Sequence, residues 1–163
     1  MAQGRRGKTD VRHRAREAAL QILYHWEIGR TDVEHAAQTF FGLQWPGTTP
    51  APDDLRTFAT ELAHDTVRRL EAIDALIADT AEHWRPERMA VLDRLILRMA
   101  ACELLQNSGT PDPGLPTGNR AAGTPPAVII NEALELARTF STEDAVKFIN
   151  GMLDGIRKKI ESE

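Results

Sequence analysis

The chain has 163 residues, 42% of them hydrophobic, and a formal net charge of −4, which suits one domain or two small halves sharing a core and requires no metal or cofactor for folding. A single cysteine, Cys102, excludes an internal disulfide, and the lack of a long uninterrupted apolar run speaks against a membrane span or signal peptide, so a cytoplasmic protein without a membrane anchor is expected. The overall charge hides an asymmetry: residues 1–16 carry Arg5, Arg6, Lys8, Arg12, Arg14 and Arg16 against Asp10 alone, a local charge of +5 that leaves −9 on the rest.

No sustained alternation of apolar and polar residues and no Asn-Gly or Asp-Gly hairpin turn suggests strands, so an all-α fold is predicted. Residues 1–9 read as a disordered basic arm preceding a single helical domain at 10–163. The first helix is predicted from near Asp10, whose carboxylate can cap it, to Gly29, with Ala15, Ala19, Ile22, Leu23 and Trp26 as its apolar stripe. Arg12 and Arg16 are four residues apart and share another side. A shorter helix follows over about Asp32–Phe41, and Gln44–Pro52 breaks it.

From about Asp53 to Trp84 the apolar residues Leu55, Phe58, Leu62, Leu70, Ile73 and Ile77 keep helical spacing, as one long helix or two nearly continuous ones. Arg85-Pro86 interrupts the run and sets a boundary between helical halves at about 10–84 and 85–163. The helix expected at about Glu87–Gln106 is apolar nearly all round. It is therefore either central or covered by a partner on its outer side. Cys102 lies within it as a small buried hydrophobe.

Residues 107–126 contain four glycines and five prolines with little apolar bulk, the composition of a flexible linker loop. A helix at Ala127–Phe140 follows. The last is predicted to begin at Ser141 as N-cap, with Glu143 and Asp144 in its first turn, and to bury Val146, Phe148 or Ile149, Met152, Leu153 and Ile156. Asn150-Gly151 falls inside it, and the glycine is expected to allow close helix contact.

The usual catalytic constellations are missing: there is no Gly-rich phosphate loop, G-x-S-x-G, H-E-x-x-H or cysteine pair. The five histidines have no metal-ligand spacing. A binding protein without catalytic residues, metal or cofactor is the expectation.

Four segments occur in a distinctive order: R-x-x-A-R-E-x-A-x-Q-x-L-Y at 12–24, D-R-x-I-L-R-x-A-x-x-E-L at 93–104, I-N-E-A-x-E-L-A at 130–137 and K-F-x-N-G-x-L-D at 147–154. Together they resemble the NusB family of bacterial transcription antitermination factors. The resemblance implies an all-α bundle of about seven helices in two packed halves. It also implies RNA binding in antitermination on ribosomal RNA operons, with boxA-type single-stranded RNA held jointly by the chain and NusE, a ribosomal small-subunit protein, within the RNA polymerase antitermination complex. When free, the chain could form a homodimer. Two departures stand out: the 107–126 segment is longer than is usual in the family, and His13 stands where an arginine is common.

By that resemblance the RNA-binding set is Arg12, His13, Arg14, Arg16, Tyr24, Asp144, Lys147 and Phe148. Guanidinium groups offer paired donors for phosphates and flat faces for unpaired bases, whereas the bland reading is a solvated tail. Tyr24 and Phe148 suit base stacking or core packing equally. Lys147 reads as a surface cation, and Asp144 as a residue at the third helical position that stabilises its helix but repels phosphate. Asp93, Arg94, Ile96 and Arg98 on the over-apolar helix are candidates for contact with NusE, against burial in the core. A second reading is a NusB-like recruiting module working with an RNA cytosine methyltransferase. In that case a separate subunit must supply the methyl donor's site.

Overall fold

The structure is a computed structural model that describes residues 2–81, 84–107 and 124–162, with side chains described from Val11 onward. Seven α-helices run in chain order: α1 (Ala2–Gly29), α2 (Val33–Thr39), α3 (Asp53–Arg68), α4 (Leu70–Thr80), α5 (Val91–Asn107), α6 (Pro126–Phe140) and α7 (Glu143–Ser162). No strand occurs among the described residues. The chain folds as two compact units, Met1–Arg68 and Arg69–Glu163.

In the first unit α1 packs mainly on α3, with α2 against both. The face α1 contributes is Ala15, Ala18, Ala19, Ile22 and Leu23, each at most 1% exposed, and α3 answers with Leu55, Ala59, Leu62 and Ala63. Small residues at Ala15, Ala18 and Ala19 let the two helices approach, and each fully buried Leu or Ile contributes roughly 1.5–3 kcal/mol. α1 begins eight residues before Asp10; Ala2, Gln3, Arg5, Arg6 and Lys8 are good helix formers and no proline intervenes, so despite Gly4 and Gly7 the backbone is helical where a charge run alone reads as disordered. The helix ends at Gly29, but the left-handed turn is made by Arg30, at φ 51°.

Asp32 caps α2 by accepting the His35 amide at 2.8 Å. The helix then loosens into a π turn at Phe40–Gln44. Such a turn brings residues five apart over one another, and Trp45 accordingly returns to Phe40, with ring centroids 6.2 Å apart and nearly perpendicular.

Of the two alternatives left open for 53–84, two nearly continuous helices are found, parted at Arg69 with φ −101° and ψ 16°. No glycine or proline marks that break. It is also where the units divide, so the boundary lies at Arg68 and Arg69 rather than near Trp84: α4 packs on α5 and α7.

The second unit is built around α5, which contacts α4, α6 and α7. Eleven of its residues are buried, from Leu95 through Gln106, so its all-round apolar surface belongs to a central helix. Cys102 is fully buried there. Before it, Pro86–Arg88 forms a short 3-10 turn, and α5 starts four residues later than the sequence suggested. The predicted linker falls largely on residues 108–123, outside the described residues. α7 buries Ile149, Met152, Leu153 and Ile156, whereas Phe148 points outward.

Two details at α7 differ from expectation. Its cap is Thr142, whose Oγ1 accepts the Ala145 amide at 3.1 Å, so Ser141 is not the N-cap and Asp144 occupies the second helical position. The glycine in close contact is Gly155, not Gly151. A Cβ on Gly155 would lie 2.7 Å from Cγ2 of Thr80 on α4, whereas one on Gly151 meets nothing within 4 Å.

Candidate nucleic-acid interface

α1 carries the first cluster. Arg12 and Arg16, one helical turn apart, both reach the Phe58 ring of α3, with Cζ atoms 5.9 and 5.2 Å from its centroid. Their fates differ: Arg12 is exposed, while Arg16 is only 3% exposed. Arg16 therefore braces α1 on α3 rather than presenting its head to solvent, a correction to its reading as a direct phosphate donor. Arg14 is exposed and lies 5.1 Å over the Trp45 ring. A guanidinium stacked on a ring keeps its full charge and its edge donors, so the pairing orders the side chain without neutralising it.

His13 Nε2 lies 3.1 Å from Glu17 Oε1, one turn further along α1. The carboxylate beside it makes His13 a weaker anion site than the arginine common at this position would be. Tyr24 is 42% exposed, so it is a surface ring available for stacking and not a core residue.

The second cluster sits on the first two turns of α7. Asp144, Lys147 and Phe148 are all exposed, Phe148 by 44%. Asp144 and Phe148 are four residues apart and share a face, with Lys147 beside them. Val146 and Ile149 turn inward and set this orientation.

The partner candidates on α5 fare differently. Ile96 is 1% exposed and Arg98 7%. Arg98 donates from Nε and Nη2 to the two carboxylate oxygens of Asp74 on α4, at 2.9 Å each. Both residues therefore belong to the core of the second unit. Arg94 is half-buried and donates to the Pro86 carbonyl at 2.6 Å, tying the 3-10 turn to α5. Asp93, also half-buried in the first turn, keeps a buried Oδ1 with no hydrogen-bond partner among the described residues. Of the four, Asp93 and Arg94 retain partial exposure.

Three further residues belong to this account. Phe58 had the spacing of a core residue and nothing to mark it as a platform for two arginines. Trp45 lies in 44–52, which reads as a simple helix break, and Arg56 is an ordinary surface cation of the helix from Asp53. Among the described residues no group of His, Cys, Asp and Glu could hold a metal ion, and no helix is long and apolar enough to cross a membrane.

The NusB family model matches residues 13–115 and 120–158. The chain belongs to the NusB family. It is 40% identical to a transcription antitermination protein NusB of Koribacter versatilis over 156 residues, 96% of this chain and 94% of the relative. With the protein of the same name from Solibacter usitatus it shares 40% over 149 residues, 91% and 90% of the two chains. A solved structure of T. maritima NusB superposes with a TM-score of 0.73 at 30% identity, covering 91% of each chain. A crystal structure of antitermination factors NusB and NusE in complex with double-stranded RNA shares the fold, with a TM-score of 0.70 at 22% identity over 92% of this chain and 98% of that one. The Koribacter and Solibacter relatives match almost end to end. Both of these relatives are transcription antitermination proteins, so the antitermination family is favoured over a recruiting module working with a separate methyltransferase.

Proposed function

We propose that this protein is a transcription antitermination factor of ribosomal RNA operons that binds boxA-type single-stranded RNA jointly with NusE, in the cytoplasm and without catalysis. The carrying observation is 40% identity over 96% of the chain to a transcription antitermination protein. Two exposed clusters support it. Arg12 and Arg14 on α1 offer charge and donors for phosphates, with Tyr24 about three turns further on for stacking. Lys147 and Phe148 on α7 pair a cation with an exposed ring, and Asp144 beside them limits affinity through its charge. The capture of a fold relative with NusE and RNA supports the joint binding mode.

For the protein contact, Asp93 and Arg94 at the start of α5 are the groups left to meet NusE, while Ile96 and Arg98 support them from the core.

A gel-shift titration of boxA RNA, with and without NusE, tests this reading. NusE should tighten binding by about tenfold or more, and three phosphate contacts give a log–log salt slope near −2, at roughly 0.7 per contact on single strands. Arg12→Ala should weaken binding by about tenfold. RNA affinity that is absent with NusE present, or independent of salt, would overturn it.

A further inference from the structure

The stretch 40–56 of the first unit, together with Arg14 of α1, forms a chain of ring and guanidinium contacts of which the family reading uses only Arg14. Arg14 of α1 lies 5.1 Å over the Trp45 ring. Trp45 meets Phe41 with ring centroids 5.9 Å apart, and Phe41 in turn carries Arg56 of α3 at 5.4 Å. The π turn at Phe40–Gln44 makes this possible by returning Trp45 to the ring pair Phe40 and Phe41, which are themselves 5.1 Å apart edge to face. Phe40 is buried and anchors the group, while Phe41 and Trp45 stay half-exposed.

Both guanidinium groups at the ends of the chain are exposed, and among the described residues neither makes an ion pair or a hydrogen bond to the protein. Each therefore holds a full positive charge and an unspent fork of donors, already ordered by the ring beneath it. Partly exposed rings flanked by ordered cations are the elements of a single-strand nucleic-acid subsite: bases stack on the rings and phosphates meet the forks. A peptide with acidic side chains would meet the charges but leave the aromatic faces unused.

We propose that Phe41, Trp45 and Arg56 form a second RNA subsite, continuing from Arg14, that takes unpaired nucleotides flanking the boxA element. This rests on the boxA reading and extends the RNA path from α1 across the α2–α3 connection.

The test uses the full chain with NusE and two RNAs, boxA alone and boxA extended on both sides by unpaired nucleotides. The wild-type protein should bind the extended RNA about fivefold more tightly. Arg56→Gln should bring the ratio of the two affinities toward one and reduce the salt slope on the extended RNA by about 0.7, the contribution of one phosphate. Arg56→Lys, which keeps the charge, should restore the slope. On the wild-type protein, photo-crosslinking of RNA bearing 4-thiouridine in the flanks should label peptides containing Phe41 or Trp45. An unchanged ratio in Arg56→Gln, or flanks that crosslink nowhere within 40–56, would overturn the subsite and leave the stack as a purely structural clasp. Failure of wild-type protein to bind unextended boxA would instead overturn the antitermination reading itself.

Discussion

The two units of this protein differ in how several of their arginines are held, although Arg68 of the first also lies near Asp65. In the first, Arg12, Arg14, Arg16 and Arg56 each lie over an aromatic ring. In the second, Arg98 is clamped by Asp74, Arg138 pairs with Glu135, Arg157 with Glu161 and Lys158 with Asp154. A ring orders a guanidinium and leaves its charge intact, whereas a carboxylate orders it and cancels the charge. Exposed arginines of the first kind, Arg14 and Arg56, are prepared for an incoming anion, whereas Arg16 is buried against Phe58. Those of the second kind hold the fold together or sit as weak surface pairs, worth at most about 1 kcal/mol each.

The largest test of that contrast is Arg98→Ala. It strands the Asp74 carboxylate, which is about one-third exposed, so the loss falls below that of a wholly buried pair: about 2–3 kcal/mol by denaturant unfolding. RNA affinity measured well below the midpoint should stay within about twofold of wild type, because Arg98 is buried and its donors are spent on Asp74. A protein that unfolds normally after this change would show that the second unit does not depend on its buried pair.

Next in size is the packing of α7 on α4. Gly155→Ala drives a methyl into the stiff Thr80 side chain, whose hydroxyl is held by the Leu76 carbonyl at 2.9 Å. That should cost about 1 kcal/mol net, after the better helix propensity of alanine is counted, and Thr80→Ser should relieve it in a double-mutant cycle. Gly151→Ala, in open space on the same helix, should stabilise by about 0.5–1 kcal/mol. Equal effects at the two glycines would break the distinction.

The smallest effect is expected at Asp144, the acidic residue among the exposed groups at the start of α7. Asp144→Asn should raise RNA affinity by about twofold and lower stability by a few tenths of a kcal/mol as the first turn loses its charge. An unchanged RNA titration would show that the carboxylate acts on the helix alone.

Much of this was legible in the chain. Apolar spacing placed every helical stretch, leaving open only whether 53–84 was one helix or two, and the same periodicity that flagged α5 as over-apolar identified the central helix. What spacing could not decide was whether its outer face met a partner or the rest of the unit. Burial of Ile96 and the Asp74–Arg98 pair decide it, and that pair joins residues 24 apart in sequence. The break at Arg69 was invisible because no helix-breaking residue causes it. Arg12 and Arg16 were read correctly as sharing a side of α1, yet their different exposure depends on how deeply each reaches around Phe58. The aromatic stack went unseen because a π turn changes the residue spacing on which helical readings rely.

Gly155 has a mechanical consequence beyond its contribution to stability. α7 contains two residues without a Cβ, Gly151 and Gly155, four positions apart. Sliding α7 along α4 by less than one turn would push a side chain into Thr80, while a shift of a whole turn would exchange one glycine for the other. The contact acts as a detent, holding the helix that carries Lys147 and Phe148 at a fixed height and allowing movement only in steps of a full turn.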